Sequence, residues 1–89
     1  MQTVKVVIKD EVGLHARPAN KFVRKAATFS SDIRLTKEGS EESFNAKSIT
    51  SILRLGAVKD TLLTITAEGA DEEQACKELE ALVVNNFED

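Results

Sequence analysis

Four short stretches in which apolar residues return at every second position alternate with three in which they return every third or fourth. That ordering leaves few folds open to this chain. From Thr3 to Lys9, Val4, Val6 and Ile8 fall on one side and Lys5, Val7 and Lys9 on the other, which predicts a strand with one buried face. Asp10-Glu11-Val12-Gly13 turns the chain into a first helix, expected from Ala16 or Arg17 to Thr28. Its apolar face is Ala19, Phe22, Val23, Ala26 and Phe29, with Lys21, Arg24 and Lys25 toward water. Asp32 to Lys37 and Ser43-Phe44-Asn45 flank the turn Glu38-Gly39-Ser40-Glu41-Glu42 and form an antiparallel hairpin. A short helix, Ile49 to Leu55, begins at the N-cap Ser48 and is closed by Gly56. Thr61 to Ala67 is a fourth strand, with Leu63, Ile65 and Ala67 on one face. Asp71, with Gln74 three residues on, predicts a capping-box-like start to a last helix. Ala75, Leu79, Leu82, Val83 and Phe87 line one stripe of that helix, Cys76 packs near it, and Glu88-Asp89 frays. The expected fold is α+β, a two-layer open-faced β-sandwich in the order βαββαβα. A four-stranded, mostly antiparallel sheet carries three helices on one face, and residues 1–89 make one domain.

At 89 residues such a domain has a single core and, at about 0.05–0.15 kcal/mol per residue, little stability to spare. A formal charge of −3 argues against a general nucleic-acid binder. No run approaches the length of a membrane span, and the opening residues lack a signal-peptide core, so a cytoplasmic location is expected. One cysteine and one histidine are too few for a metal centre, and no metal or other cofactor is expected.

That histidine lies in Gly13-Leu14-His15-Ala16-Arg17-Pro18-Ala19, which also holds the sole proline. Gly13 can take positive φ, and Pro18 pre-sets helical φ while giving up an N–H that a first turn leaves unpaired. The stretch therefore reads as a turn followed by a helix start. The imidazole stands just ahead of the unpaired amides of Ala16 and Arg17 and beside the Arg17 guanidinium. A lone histidine near a helix start is compatible with a surface residue without chemistry. Its surroundings read instead as an anion site containing a nucleophile. Hydrolytic acid–base work would need a partner, and the motif itself contains no Ser, Cys or Asp. An imidazole can attack a phosphoryl group unaided, and the amides with Arg17 would bind the equatorial oxygens.

The stretch resembles the active-site signature of the HPr family, the histidine-containing phosphocarriers of the bacterial phosphoenolpyruvate:sugar phosphotransferase system. The likeness runs along essentially the whole chain, through Ala46-Lys47-Ser48-Ile49, Leu55-Gly56 and Ala67-Glu68-Gly69-Ala70-Asp71-Glu72. It implies that His15 accepts a phosphoryl group on Nδ1 from phosphorylated enzyme I and passes it to the EIIA domains or subunits of sugar permeases. Arg17 and the amides of Ala16 and Arg17 would steady the group. Such a protein is a stoichiometric carrier rather than an independent enzyme, and a monomer suffices.

Ser48 reads by itself as an ordinary N-cap, worth about 1 kcal/mol against alanine. The resemblance implies a second role, regulatory phosphorylation by HPr kinase/phosphorylase, with the phospho-form acting as corepressor for the catabolite control protein. Lys47 would then lie near the phosphate. Ile49 and Leu53, at helical spacing, either complete the core or, with Thr50, form an apolar docking patch rimmed by Arg17, Lys47 and Arg54. Thr50 stands where the family usually carries a large Met or Phe, and the preceding hairpin turn is about two residues longer than is common. Two alternatives accompany the carrier: a mainly regulatory module acting through phospho-Ser48, and a nitrogen-branch phosphotransferase paralogue.

Overall fold

The computed structural model describes residues 1–11 and 13–87. Val12 of the first turn and the two terminal residues, Glu88 and Asp89, with the fraying expected of them, lie outside the described residues. The elements follow the expected order: β1 (Gln2–Val7), α1 (Ala16–Ala26), β2 (Asp32–Lys37), β3 (Ser43–Asn45), α2 (Ile49–Leu55), β4 (Leu62–Glu68) and α3 (Glu72–Val84). The strands pair in the order β1-β4-β2-β3, and every pairing is antiparallel. The late strand β4 thus stands between the two strands that precede and follow α1.

Register turns the alternation into two faces. Val4 and Val6 lie across from Ile65 and Leu63, and Ile33 and Leu35 across from Ala67 and Ile65. These residues and the apolar stripes of the helices form one core, in which Phe22, Ile33, Leu35, Ile52, Leu63, Ile65 and Leu79 are fully buried. Each such side chain contributes roughly 1.5–3 kcal/mol by leaving water. The opposite sheet face carries Thr3, Lys5, Arg34, Thr36, Thr64 and Thr66, partly or wholly exposed, as suits a sheet covered on one side. α3 packs on β1 and β4, while α1 packs against both α2 and α3. The result is the open-faced α+β sandwich.

Several expected boundaries and contacts are corrected. α1 ends at Ala26, short of Thr28, because the chain tightens there. The amide and hydroxyl of Thr28 both donate to the Lys25 carbonyl, and the Phe29 amide donates to that of Ala26. Two of the three basic residues assigned to water have protein partners. Lys21 Nζ donates to the Phe87 carbonyl at 2.9 Å, and Lys25 pairs with Glu78 at 2.9 Å. Burial in the core pushes the Cys76 thiol up from its ordinary pKa.

The start of α3 differs from a capping box at Asp71. Asp71 stands at the N-cap position, but its carboxylate makes no cap bond and Gln74 does not complete the motif. The side chain reaches across the molecule instead, accepting from the Ser31 hydroxyl and from the amides of Ser30 and Ser31 at 2.9 and 3.0 Å. Glu72 supplies the reciprocal bond, accepting from the Gly69 amide at 3.2 Å. Asp71 therefore ties the α1–β2 turn to the β4–α3 turn. Ser31 is fully buried, and a side chain at Gly69 would meet its Cα at 2.7 Å, so the two turns are in van der Waals contact.

The Ser31 hydroxyl, followed by the Ser30 amide, holds the Asp71 carboxyl below its ordinary pKa of 3.8. A carboxyl depressed in the folded state binds fewer protons folded than unfolded. Its stabilisation is complete above the ordinary value and is lost as pH falls through the lowered one. In urea titrations, wild type is expected to exceed Asp71→Asn in stability near neutral pH, and the gap to close below about pH 4. A gap that stays constant with pH would show that the charge on Asp71 contributes nothing.

Candidate functional site

The turn before α1 is set by a close backbone approach. Gly13 has φ +85°, and a Cβ there would lie 2.6 Å from the Ala57 carbonyl oxygen and 2.8 Å from Val58 Cα. Only glycine allows that contact without displacing backbone. The Gly13 amide donates to the Asp10 carbonyl and the next amide, of Leu14, donates to Ala57 at 2.8 Å. Buried Leu14 anchors the same segment in the core.

His15 follows as the N-cap residue of α1, with extended backbone (φ −88°, ψ −169°), and its side chain makes no cap bond. Among the described residues the Ala16 and Arg17 amides have no hydrogen-bond acceptor, Pro18 has no amide to offer, and the Ala19 amide already donates to the His15 carbonyl. The helix start thus presents two amides beside an imidazole that is 40% exposed. No acidic residue occupies the first turn to neutralise the positive end of the helix.

His15, Arg17 and Pro18 line one recess of about 250 Å³ together with Asp10, Lys21, Asn86 and Phe87. A larger recess, about 620 Å³, lies between α1 and α3 around the Lys25–Glu78 pair and does not contain the imidazole.

Four of the lining residues are absent from the expectations. Asp10 Oδ1 lies 3.6 Å from His15 Nε2, so the imidazole has a carboxylate neighbour from outside its motif. The spacing of Asp10 three residues before Gly13, a frequent pattern for a tight turn, is the signal that could have found it. Lys21 is one helical turn beyond Arg17 and on the same side of α1. Asn86 and Phe87 arrive from the other end of the chain in left-handed backbone, φ 55° and 62°. Their amides donate to Val83 and Leu82 and fold them back beneath α3, where Phe87 is buried and its carbonyl is held by Lys21. Nothing in the local sequence announces that return.

The α2 residues stand apart from this recess. Ser48 is the N-cap of α2 as expected: its Oγ accepts from the Ser51 amide at 3.3 Å, and Gly56 closes the helix in left-handed backbone. Lys47 does not attend the serine. Its Nζ donates to the Phe29 carbonyl at 2.7 Å, tying the α2 approach to the end of α1. Ile49 and Leu53 are outside the core, 37% and 45% exposed, with Thr50 and Arg54 also exposed, whereas Ile52 and Leu55 are buried.

The family model described as "PTS HPr component phosphorylation site" matches residues 2–85. The chain belongs to the HPr family. The phosphocarrier protein HPr of Mycoplasma pneumoniae is 40% identical over 83 residues, 93% of each chain. That of Vibrio cholerae is 43% identical over 83 residues, 93% of this chain and 95% of the other. The crystal structure of HPr-C-His from Thermoanaerobacter tengcongensis superposes with a TM-score of 0.92 at 44% identity, covering 98% of this chain and 96% of that one. The HPr fold is thereby shown through both sequence and backbone. No helix among the described residues is long and apolar enough to cross a membrane.

If the Gly13 approach sets the His15 turn, Gly13→Ala must both strain φ and move the Ala57–Val58 backbone. A loss of about 1–3 kcal/mol is expected in urea denaturation, with amide NMR shifts displaced from Asp10 to Arg17 and around Ala57. Shifts confined to residue 13 and its immediate neighbours would show that the contact is not structural.

Proposed function

We propose that the protein is a cytoplasmic phosphocarrier of the phosphoenolpyruvate-dependent sugar phosphotransferase system. His15 accepts a phosphoryl group from phosphorylated enzyme I and delivers it to the EIIA domain or subunit of a sugar permease. One observation carries this reading: the sole histidine stands at the start of α1, in a recess with Arg17, and its side chain makes no cap bond to the first-turn amides.

The chemistry follows from that placement. The imidazole lone pair attacks phosphorus directly, so no second residue is needed as a base. The developing charge on the phosphoryl oxygens meets the two amides, the positive end of an eleven-residue helix and the Arg17 guanidinium. Those donors also bind the product, which suits a carrier that must hold the group between partners. The attack requires neutral imidazole, because the imidazolium has no free lone pair. An exposed ring in a small recess leaves room for a donor's or acceptor's active site to close over it. Exposed Ile49, Thr50 and Leu53 on α2 provide an apolar surface for brief docking, with Arg17 and Arg54 favouring acidic partners.

Incubation with enzyme I and phosphoenolpyruvate is expected to give one acid-labile phosphoryl adduct per chain. His15→Ala abolishes it, and Arg17→Gly slows its formation by about tenfold or more while leaving thermal stability nearly unchanged. An undiminished adduct on His15→Ala, or none on wild type, sinks the reading.

A regulatory phosphorylation at Ser48 is the second reading, favoured by an N-cap hydroxyl that is only partly buried and whose one recorded acceptor bond is to Ser51. Phospho-Ser48 would recruit the catabolite control protein. With ATP and HPr kinase/phosphorylase, an acid-stable phosphate is expected on wild type and not on Ser48→Ala, a variant that costs only about 1 kcal/mol of capping. Equal labelling of the two would end that reading.

A further inference from the structure

Among the described residues Asp10 is the one carboxylate lining the His15 recess, and the chemistry described so far gives it no role. Three observations fix where it can act. Its Oδ1 faces the Nε2 edge of the imidazole at 3.6 Å. Its backbone is held on both sides: the Asp10 carbonyl accepts from Gly13 at 2.9 Å, and Ile8, two residues earlier, exchanges bonds with Asp60 and Thr61 at 2.7 and 3.0 Å. Its side chain is only 24% exposed, so water screens the pair less than it would at an open surface. The cations in the recess, Arg17 and Lys21, lie on α1, whereas Asp10 comes from the preceding turn.

We propose that Asp10 is a positioning residue that selects which imidazole nitrogen takes the phosphoryl group. This rests on the phosphocarrier reading of His15 and adds to it a residue from outside the signature motif. In a neutral imidazole one nitrogen carries the proton and the other the lone pair, and a neighbouring carboxylate favours the proton on its own side. Asp10 therefore holds the proton on Nε2 and leaves the lone pair on Nδ1. The two ring nitrogens point away from each other, so the carboxylate lies on the edge remote from the incoming anion.

The step balances without proton transfer. The Nδ1 lone pair forms the new N–P bond, the bond between phosphorus and the donor's atom breaks, and its electron pair leaves with the donor. The Nε2 proton stays where it is. The phosphorylated ring of His15 is then cationic, and Asp10 lies beside that charge; on delivery to an acceptor the same proton remains and the ring becomes neutral again. A carboxylate orienting an imidazole through its other nitrogen is the arrangement that serves hydrolytic triads, here used to aim a nucleophile rather than a base.

The test reads the ring directly. In protein labelled with ¹⁵N in the imidazole, two-bond spectra above neutral pH report the share of each tautomer with no donor present. Wild type is expected to show the Nε2–H form almost alone. In Asp10→Ala the Nδ1–H share should rise several-fold, and phosphoryl acceptance from enzyme I should fall about tenfold with an unchanged KM for the carrier. Asp10→Asn, which can turn an amide oxygen toward Nε2 at the same size, should restore the tautomer and most of the rate. It also keeps the test valid if the alanine variant folds poorly. Identical ring spectra across the three proteins would overturn the proposal, as would a changed tautomer with an unchanged rate. Failure of wild type to take the phosphoryl group overturns the carrier reading instead, and is told apart because the tautomer is measured without any donor.

Discussion

The close passage of the Gly13 backbone over Ala57 and Val58 is the constraint on which the site depends. A hydrogen bond of 2.8 Å from Leu14 to Ala57 closes it, and a gap of less than 3 Å to a hypothetical Cβ keeps it available to glycine alone. It joins the turn before α1 to the segment between α2 and β4, so the imidazole is referenced to the core rather than to its own loop. That contact, with the bonds from Gly13 to Asp10 and between Ile8 and Asp60–Thr61, fixes the backbone that carries Asp10, His15 and the first amides of α1. His15 and Arg17 are surface groups on a supported turn, an arrangement that holds side chains in place without burying them.

The apolar pattern was legible almost residue by residue. Val6 and Ile8, Ile33 and Leu35, and Leu63, Ile65 and Ala67 are all buried, because period two allows a half-covered strand only one solution. Ser48 and Gly56 were equally plain, since the bonds that cap a short helix are local. Ile49 and Leu53 could not be placed from spacing alone. Helical position fixes which residues share a face but not how far the neighbouring helix covers it, and α1 leaves these two outside.

The polar ties were illegible for a shared reason. Asp71 bonds to Ser30 and Ser31 across 41 and 40 positions of sequence, Lys47 to Phe29 across 18 and Lys21 to Phe87 across 66. Such contacts carry no period, and each uses a residue that has a sensible local role as well: an N-cap, a companion to Ser48, a cation facing water. Asp10 differs in being only five positions from His15. It lies outside the motif, and only the turn at Gly13 brings it back to the imidazole. Tertiary demand displaced local preference at each of these positions, most clearly where Asp71 gives up its capping bond to clasp another turn.

The central place of β4 has a consequence for how the molecule comes into being. Neither β1 nor β2 has the other as a neighbour, and both depend on a strand that begins only at Leu62. During synthesis the histidine emerges before β4, so the sheet that supports its turn cannot form until Leu62–Glu68 has left the ribosome. Pairings this distant in sequence delay the transition state, because loop closure must come before any contact rewards it. An unfinished chain therefore carries His15 without the sheet beneath its turn, and that support forms only once β4 has paired.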